Sequence, residues 1–129
     1  MNFNEKDNFV EIQKVITRVS KLANNSDLSR DVLSTRDYIN TKLFEKDCEL
    51  KVFKFIGELE KLFSDGYCNY LELLNLFEIN VKSIEDLFDN EKGVLIMSDD
   101  LKIRKNRLNL LSLIRNYSLK IADFTLLNS

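Results

Sequence analysis

Six basic side chains and no acidic one lie in residues 101–120, LKIRKNRLNLLSLIRNYSLK. Lys and Arg at this density are the groups with which proteins bind nucleic-acid phosphates, because each neutralised phosphate releases bound counterions. They are equally common as the polar positions of a core helix, where the long stems lie along apolar neighbours. The candidate residues of this segment for binding a partner or nucleic acid are Lys102, Arg104, Lys105, Arg107 and Arg115.

The helical arrangement of this segment bears on that choice. At 100° per residue two apolar stripes form on opposite sides of the helix. One contains Ile103, Leu110, Ile114, Tyr117 and Ile121, and the other Leu101, Leu108, Leu111 and Leu119. The basic residues therefore form no continuous stripe, and the one aromatic residue, Tyr117, falls on the core side, whereas single-stranded nucleic acid stacks on exposed aromatic rings. We expect a helix through the middle of a bundle, with Lys and Arg tips reaching water. An exposed leucine stripe rimmed by Arg, or phosphate binding, remain the alternatives.

A second candidate set is acidic. Residues 55–100 contain eleven acidic and three basic side chains, a net charge of −8, whereas residues 101–129 carry +5. Such a segment can present a negative helix face to a basic groove of a larger partner. The candidate partner-binding residues are Glu72, Glu78, Glu85, Asp86 and Asp89.

Several groups that commonly carry catalysis are missing from the chain. There is no histidine, which removes the usual general base and the His-containing zinc sites and nucleophile pairs. Cys48 and Cys68 lie far apart in the sequence and form no CxxC pair, so we predict that both are reduced thiols. Glu45 and Glu49 are four residues apart and could share a metal ion, but solvated helix faces carry such pairs routinely. We therefore predict no catalytic residues, no metal, no cofactor and no enzymatic activity.

Composition predicts the fold class. The chain has 129 residues with no proline, three glycines, 44% hydrophobic and 31% charged residues, which favours long helices over a turn-rich β fold. We predict one all-α domain over residues 1–129, a compact bundle of five to seven helices with a long, largely buried C-terminal helix. A compact six-helix module resembling the death fold is the alternative. No apolar run is long enough to span a membrane, and MNFNEKDNFV is not a signal peptide, so we expect a cytoplasmic protein.

Local signals place the helices. Ser34 and Asp37 form a capping pair, Ser83 caps a second short helix, and Asp99 and Asp100 open the last one. Gly57 is expected to permit close helix contact, Gly93 to supply a left-handed exit residue, and VLIM (94–97) to be a buried connector. The predicted helices cover residues 9–23, 34–47, 50–63, 69–77, 83–93 and 101–122.

The sequence predicts a non-catalytic protein–protein interaction module: a small regulatory subunit, inhibitor, immunity-type or adaptor protein that binds a larger partner through helix faces. The alternative is a small nucleic-acid-binding subunit that uses the basic C-terminal helix. An enzyme built on carboxylates and a divalent metal is a third reading. Another protein is thus the expected partner, nucleic acid a less favoured one, no membrane is involved, and self-association stays open.

Overall fold

A computed structural model of the chain describes residues 3–64, 66 and 70–127, with side chains for residues 10–64, 66 and 71–120. Over these residues the chain is all helical, as predicted, and contains no strand. Five to seven helices are not confirmed, since the described residues form four α-helices and one short 3-10 helix, Thr41–Leu43. The α-helices are α1 (Phe3–Ala23), α2 (Asp47–Ser64), α3 (Tyr70–Asp86) and α4 (Leu101–Leu127).

Helix α4 lies against the other three helices and packs most extensively on α1. Every residue from 106 to 118 is buried, polar ones included. Two aromatic pairs join the helices: Phe55 of α2 meets Phe77 of α3 with ring centroids 5.1 Å apart, and Phe63 meets Tyr117 of α4 at 5.2 Å. Full burial of a Phe side chain contributes about 1.5–3 kcal/mol. The long C-terminal helix is largely buried, as predicted, and its contacts with all three other helices place it at the centre of the core.

The segment between α1 and α2, residues 24–46, is not α-helical, and the helix predicted over 34–47 is wrong. The Ser34 hydroxyl accepts the Arg36 N–H at 3.1 Å, and the Thr35 carbonyl accepts the N–H groups of Tyr38 and Ile39. Asp37 has φ +71°, a left-handed conformation that interrupts a helix. The local capping signal therefore forms turns instead of a helix.

Helix α3 is longer than the sequence indicates. The two short helices predicted over 69–77 and 83–93 are replaced by one helix that continues through Ser83 to Asp86. Its buried residues Leu73, Phe77 and Ile84 follow one helical pattern, and that packing overrides the capping preference of Ser83.

The two glycines with predicted roles behave differently from expectation. Gly57 is exposed on α2, and a Cβ there would meet nothing within 4 Å, so it permits no close helix contact. Gly93 does not have a positive φ. A Cβ at Gly93 would lie 2.4 Å from the carbonyl oxygen of Leu87 and 2.5 Å from that of Asp89. Glycine is therefore required at 93 by close backbone approach.

The connector at 94–97 is only partly buried, contrary to the prediction. Ile96 lies in the core, but Leu95 is 70% exposed and Met97 is also exposed. No helix in the described part of the chain is long and apolar enough to cross a membrane. Cys48 is buried and not in a disulfide, and Cys68 lies outside the described residues.

Candidate functional site

The first turn of α4 is built as the sequence predicts. The Asp100 carboxylate accepts the backbone N–H groups of Lys102 at 2.9 Å and Ile103 at 3.2 Å, and its carbonyl accepts the N–H of Arg104. This satisfies donors that a helix start leaves unpaired. The cap fixes the direction in which α4 begins, with Lys102 and Lys105 exposed and Arg104 half-buried.

One turn further, asparagine side chains bind the α1–α2 segment. The Asn106 amide accepts the Asn40 N–H at 2.7 Å and donates to the Asn40 carbonyl at 3.0 Å. Asn109 donates to the carbonyl of Tyr38 at 2.9 Å. A side-chain amide is suited to this role because it has both donors and an acceptor. Residues 38–40 are thereby fixed against α4, although they have no helix or strand of their own.

The middle of α4 continues the same pattern. The Asn116 amide donates to the carbonyls of Ser29 at 2.9 Å and Val32 at 2.7 Å. The Tyr117 hydroxyl donates to the Leu33 carbonyl. Burial, together with the nearby charge of Glu60, raises the pKa of Tyr117 well above its ordinary value, so the phenol stays a neutral donor. Side chains on a buried helix thus replace the hydrogen bonds that a helix in 24–46 would have made.

Arg115 is one of the predicted binding residues, but its side chain is 5% exposed. It donates to the carbonyls of Ala23 and Leu28, each at 3.3 Å, and to the Asn116 side chain at 3.1–3.2 Å. Burial, and then the neighbouring Arg30, lower the pKa of Arg115. Its donors serve the interior of the chain and are not offered to a partner.

Arg107 is likewise 5% exposed. It donates to the Leu95 carbonyl at 2.7 Å and to the Glu45 carboxylate at 2.5 Å, and its Nε lies 3.6 Å from Oε2 of the fully buried Glu49. The other Glu49 oxygen accepts the N–H groups of Glu45 and Lys46 just before α2. The carboxylate pair considered above as a metal site is therefore joined by a guanidinium. The expectation that the basic tips of α4 reach water is wrong for Arg107 and Arg115.

The remaining basic candidates lie beside the α1–α2 segment. Two adjoining surface hollows, of about 360 Å³ and 770 Å³, share Tyr38 and Lys105 in their walls. Arg104 lines the first hollow, and Lys42 and Lys102 line the second. We call Tyr38, Lys42, Lys102, Arg104 and Lys105 the basic face. Asp27 and Asp37 also line these hollows, so cations outnumber carboxylates there by two to one.

Sequence analysis missed Tyr38 and Lys42. The available signal was an aromatic residue in a stretch whose only other apolar residue is Ile39, RDYINTK. That signal was masked because Tyr38 falls inside the helix predicted over residues 34–47. In the structure the Tyr38 side chain is 41% exposed, and its backbone carbonyl accepts a hydrogen bond from the Asn109 side chain.

The acidic candidates lie along α3 and the turn after it. Glu72, Glu78 and Glu85 are exposed, and Asp86 lies 3.4 Å from Lys82. The Asp89 carboxylate accepts two backbone N–H groups at 2.8 Å, which hold the pKa of Asp89 below its ordinary value. Asp89 therefore stabilises a turn. Partner binding by the acidic set stays a prediction.

Metal and thiol chemistry find little support in the described part of the chain. No group of three or more His, Cys, Asp or Glu side chains there is placed to hold a metal ion. Burial, followed by the charge of Glu49, raises the pKa of the Cys48 thiol, which makes that thiol less reactive.

Comparison with curated proteins gives several matches to glycine–tRNA ligase beta subunits. The chain is 34% identical over 116 residues to the glycine–tRNA ligase beta subunit of Gloeothece citriformis (strain PCC 7424), covering 88% of this chain and 16% of that protein. It is 31% identical over 115 residues to the beta subunit of Acaryochloris marina, with the same coverages. For Persephonella marina the values are 32% over 119 residues, 91% of this chain and 15% of that protein.

The chain thus spans about a sixth of the length of the curated relatives it matches. No family model matches it, and no solved structure matches it.

These matches overturn the predicted function. The relatives are components of an enzyme that joins glycine to tRNA, so the predictions of a non-catalytic regulatory subunit, inhibitor, immunity-type or adaptor protein, and of no enzymatic activity, are wrong. The error has a physical reason. The absence of histidine limits only the chemistry of these 129 residues, whereas the matched region is 16% of the relative, so the relative's reacting groups can lie outside that region.

Proposed function

We propose that this chain is a helical module of a glycine–tRNA ligase beta subunit and that its basic face contacts tRNA. The observation that carries this proposal is the similarity of 31–34% over 88% or more of the chain to several such subunits. Because each match covers only about a sixth of the relative, the chain corresponds to one part of a larger polypeptide. A subunit has a protein partner by definition, so a second protein is part of this proposal.

The charge of the basic face supports RNA contact. Among the described residues, none of its four cations, Lys42, Lys102, Arg104 and Lys105, lies within 4 Å of a carboxylate. Their charge is therefore available for phosphates. If all four contact phosphates, log K falls against log salt with a slope of about −2.8 for single-stranded RNA and −3.6 for duplex-like contact.

Tyr38 adds a surface for an unpaired base. Stacking of a base on an exposed aromatic ring contributes about 1–3 kcal/mol. The ring belongs to a segment whose backbone is hydrogen-bonded to Asn106 and Asn109. The backbone of this segment therefore loses little conformational entropy when RNA binds. An exposed aromatic ring among cations is the usual composition of a surface for single-stranded nucleic acid.

This surface differs from the sequence-based alternative of a basic C-terminal helix. It takes only the first turns of α4 and adds residues from the α1–α2 segment, because Arg107 and Arg115 point into the protein. The predicted cytoplasmic location is kept within this proposal, since charged tRNA is used in translation.

Fluorescence anisotropy with a labelled glycine tRNA at 50 mM salt tests the proposal. We expect Lys42→Glu, Lys102→Glu, Arg104→Glu and Lys105→Glu together to weaken binding by at least tenfold. The matched control reverses four exposed lysines elsewhere: Lys21, Lys51, Lys54 and Lys61. It keeps the net charge of the test variant, so a loss of less than threefold is expected. No binding by the unchanged chain, or equal losses in both variants, contradicts the proposal.

A further inference from the structure

Helix α3 carries a row of exposed residues on the side away from the core. Leu71 is 73% exposed and Ile79 is 66% exposed, and the exposed Asn75 lies midway between them. A spacing of four residues places all three on one i±4 row, which is the ridge that most often packs into a groove of another helix. We call Leu71, Asn75 and Ile79 the α3 ridge.

The ridge is distinct from the residues that fold the domain. Leu73, Phe77 and Ile84, on the opposite side of α3, are fully buried. Leu71 and Ile79 are about 12 Å apart along the axis at 1.5 Å per residue. Two aliphatic anchors at this separation, on the same face of a regular helix, are the arrangement by which helices bind helical grooves.

The charge around the ridge restricts what can cover it. Helix α3 carries four acidic residues against one lysine, Lys82. RNA is repelled by this net charge. A second copy of the chain is disfavoured as well, because its α3 carries the same excess of acidic residues and like charges brought together across an interface are unfavourable. A protein helix with apolar residues flanked by Lys or Arg matches both the anchors and the charge.

We infer that the α3 ridge docks onto such a basic-flanked helix in the remainder of the beta subunit polypeptide. This inference rests on the proposed function, since the chain spans about a sixth of the relatives it matches and most of the subunit lies outside it. It also gives the module two faces of opposite charge: the basic face turns to tRNA, and the α3 ridge turns to protein.

Cysteine labelling tests the inference. This chain, carrying Leu71→Cys or Ile79→Cys, replaces the matching segment of the Gloeothece citriformis beta subunit, and iodoacetamide alkylation is followed by peptide-resolved mass spectrometry. Each site is compared in the isolated chain and in the graft. We expect alkylation at both ridge positions to be at least tenfold slower in the graft. Leu50→Cys, on an exposed position of α2, is the control and should change by less than threefold.

A charge variant checks the assigned chemistry. Glu72→Lys, Glu78→Lys and Glu85→Lys together should restore alkylation of Cys at 71 in the graft by at least threefold. Unchanged rates at both ridge positions, equal slowing at position 50, or protection that appears only when another subunit is added would each overturn the inference. If the graft does not fold, the same comparison is made with the rest of the subunit added as a separate polypeptide.

The labelling result can be distinguished from a failure of the proposed tRNA contact. Leu71→Ser with Ile79→Ser leaves the basic face intact, so tRNA binding by the isolated chain should stay within twofold of the unchanged chain. Absence of protection at both ridge positions in the graft, with normal tRNA binding by the unchanged chain, refutes the docking alone. Absence of tRNA binding by the unchanged chain refutes the RNA contact, whatever the labelling shows.

Discussion

Two neighbouring stretches of α4 have similar composition and opposite roles. The first turn, with Lys102, Arg104 and Lys105, lies at the surface, and its cations are free of carboxylate partners among the described residues. The next four turns, residues 106–118, carry Arg107 and Arg115 and are buried. The difference lies in what each stretch faces, since the first turn faces water and the middle faces a chain segment that has backbone groups to satisfy.

The α1–α2 segment explains the polarity of the buried stretch. Its backbone N–H and C=O groups lack the regular partners of a helix or sheet, and buried backbone groups need partners. Asn106, Asn109 and Asn116 supply them from α4. The asparagines of this core helix are required by the backbone of a neighbouring segment, whereas Lys102 and Lys105 one turn earlier are exposed to water.

The strongest test of this contrast is Arg107→Met. The change leaves the fully buried Glu49 carboxylate without its cation and removes the donors to Leu95 and Glu45. Removing one partner of a buried ion pair destabilises a protein by about 3–5 kcal/mol. Urea unfolding measures the effect, and Lys102→Met in the first turn is the control, within about 0.5 kcal/mol of the unchanged chain. A loss below about 1 kcal/mol at Arg107 would show that the buried pair is not needed.

A smaller effect is expected for Asn116→Ala. The part-buried carbonyls of Ser29 and Val32 lose their donor. A buried group left unsatisfied destabilises a protein by about 1–3 kcal/mol, and water can replace part of this loss here because Ser29 is exposed. Because the loss is local, amide exchange in the α1–α2 segment should accelerate more than exchange in α3. Asn90→Ala, at an exposed position, is the comparison. Uniform acceleration throughout the chain would contradict a local clamp.

The pH dependence of stability separates the two stretches further. The pKa of Tyr117 is raised on folding. The neutral phenol therefore contributes fully to the free energy of unfolding below the ordinary tyrosine pKa of about 10, and this contribution is lost as pH rises above that value. We expect Tyr117→Phe to lower stability by about 1 kcal/mol at pH 7 and to flatten the decline in stability above a pH of about 10. Tyr38→Phe, at the basic face, is the control. Equal profiles for the two variants would refute a special role of the buried phenol.

Sequence patterns reached the parts of this fold that depend on local composition. The all-α class follows from the absence of proline and the helical apolar spacing, and the cap at Asp100 follows from the residues beside it. The α1–α2 segment could not be predicted in this way. Asn40 and Asn106, which fix it, are 66 residues apart, and the Ser34–Asp37 capping signal is the same whether or not that distant partner exists.

The candidate site was predicted in part for the same reason. Lys102, Arg104 and Lys105 were found because they lie in one basic segment. Tyr38 joins them only through the packing of the α1–α2 segment on α4. The helical arrangement predicted only that the basic residues form no continuous stripe. It could not show that Arg107 and Arg115 would meet backbone carbonyls, because it contains no information about the neighbouring chain.

The smallest expected effect, Lys105→Ala, completes the comparison because it separates binding from stability. An exposed lysine in the first turns of α4 should change the free energy of unfolding by less than about 0.5 kcal/mol. If Lys105 contacts one phosphate, the slope of log K against log salt should become shallower by about 0.7–0.9.

Arg107→Lys tests the other stretch, where the bonds to Leu95 and Glu45 require a guanidinium. It should lower stability, while its salt slope, measured below the unfolding transition, stays unchanged. A reversed pattern, with Lys105 affecting stability and Arg107 affecting the slope, would show that the buried and exposed stretches of α4 have been assigned the wrong way round.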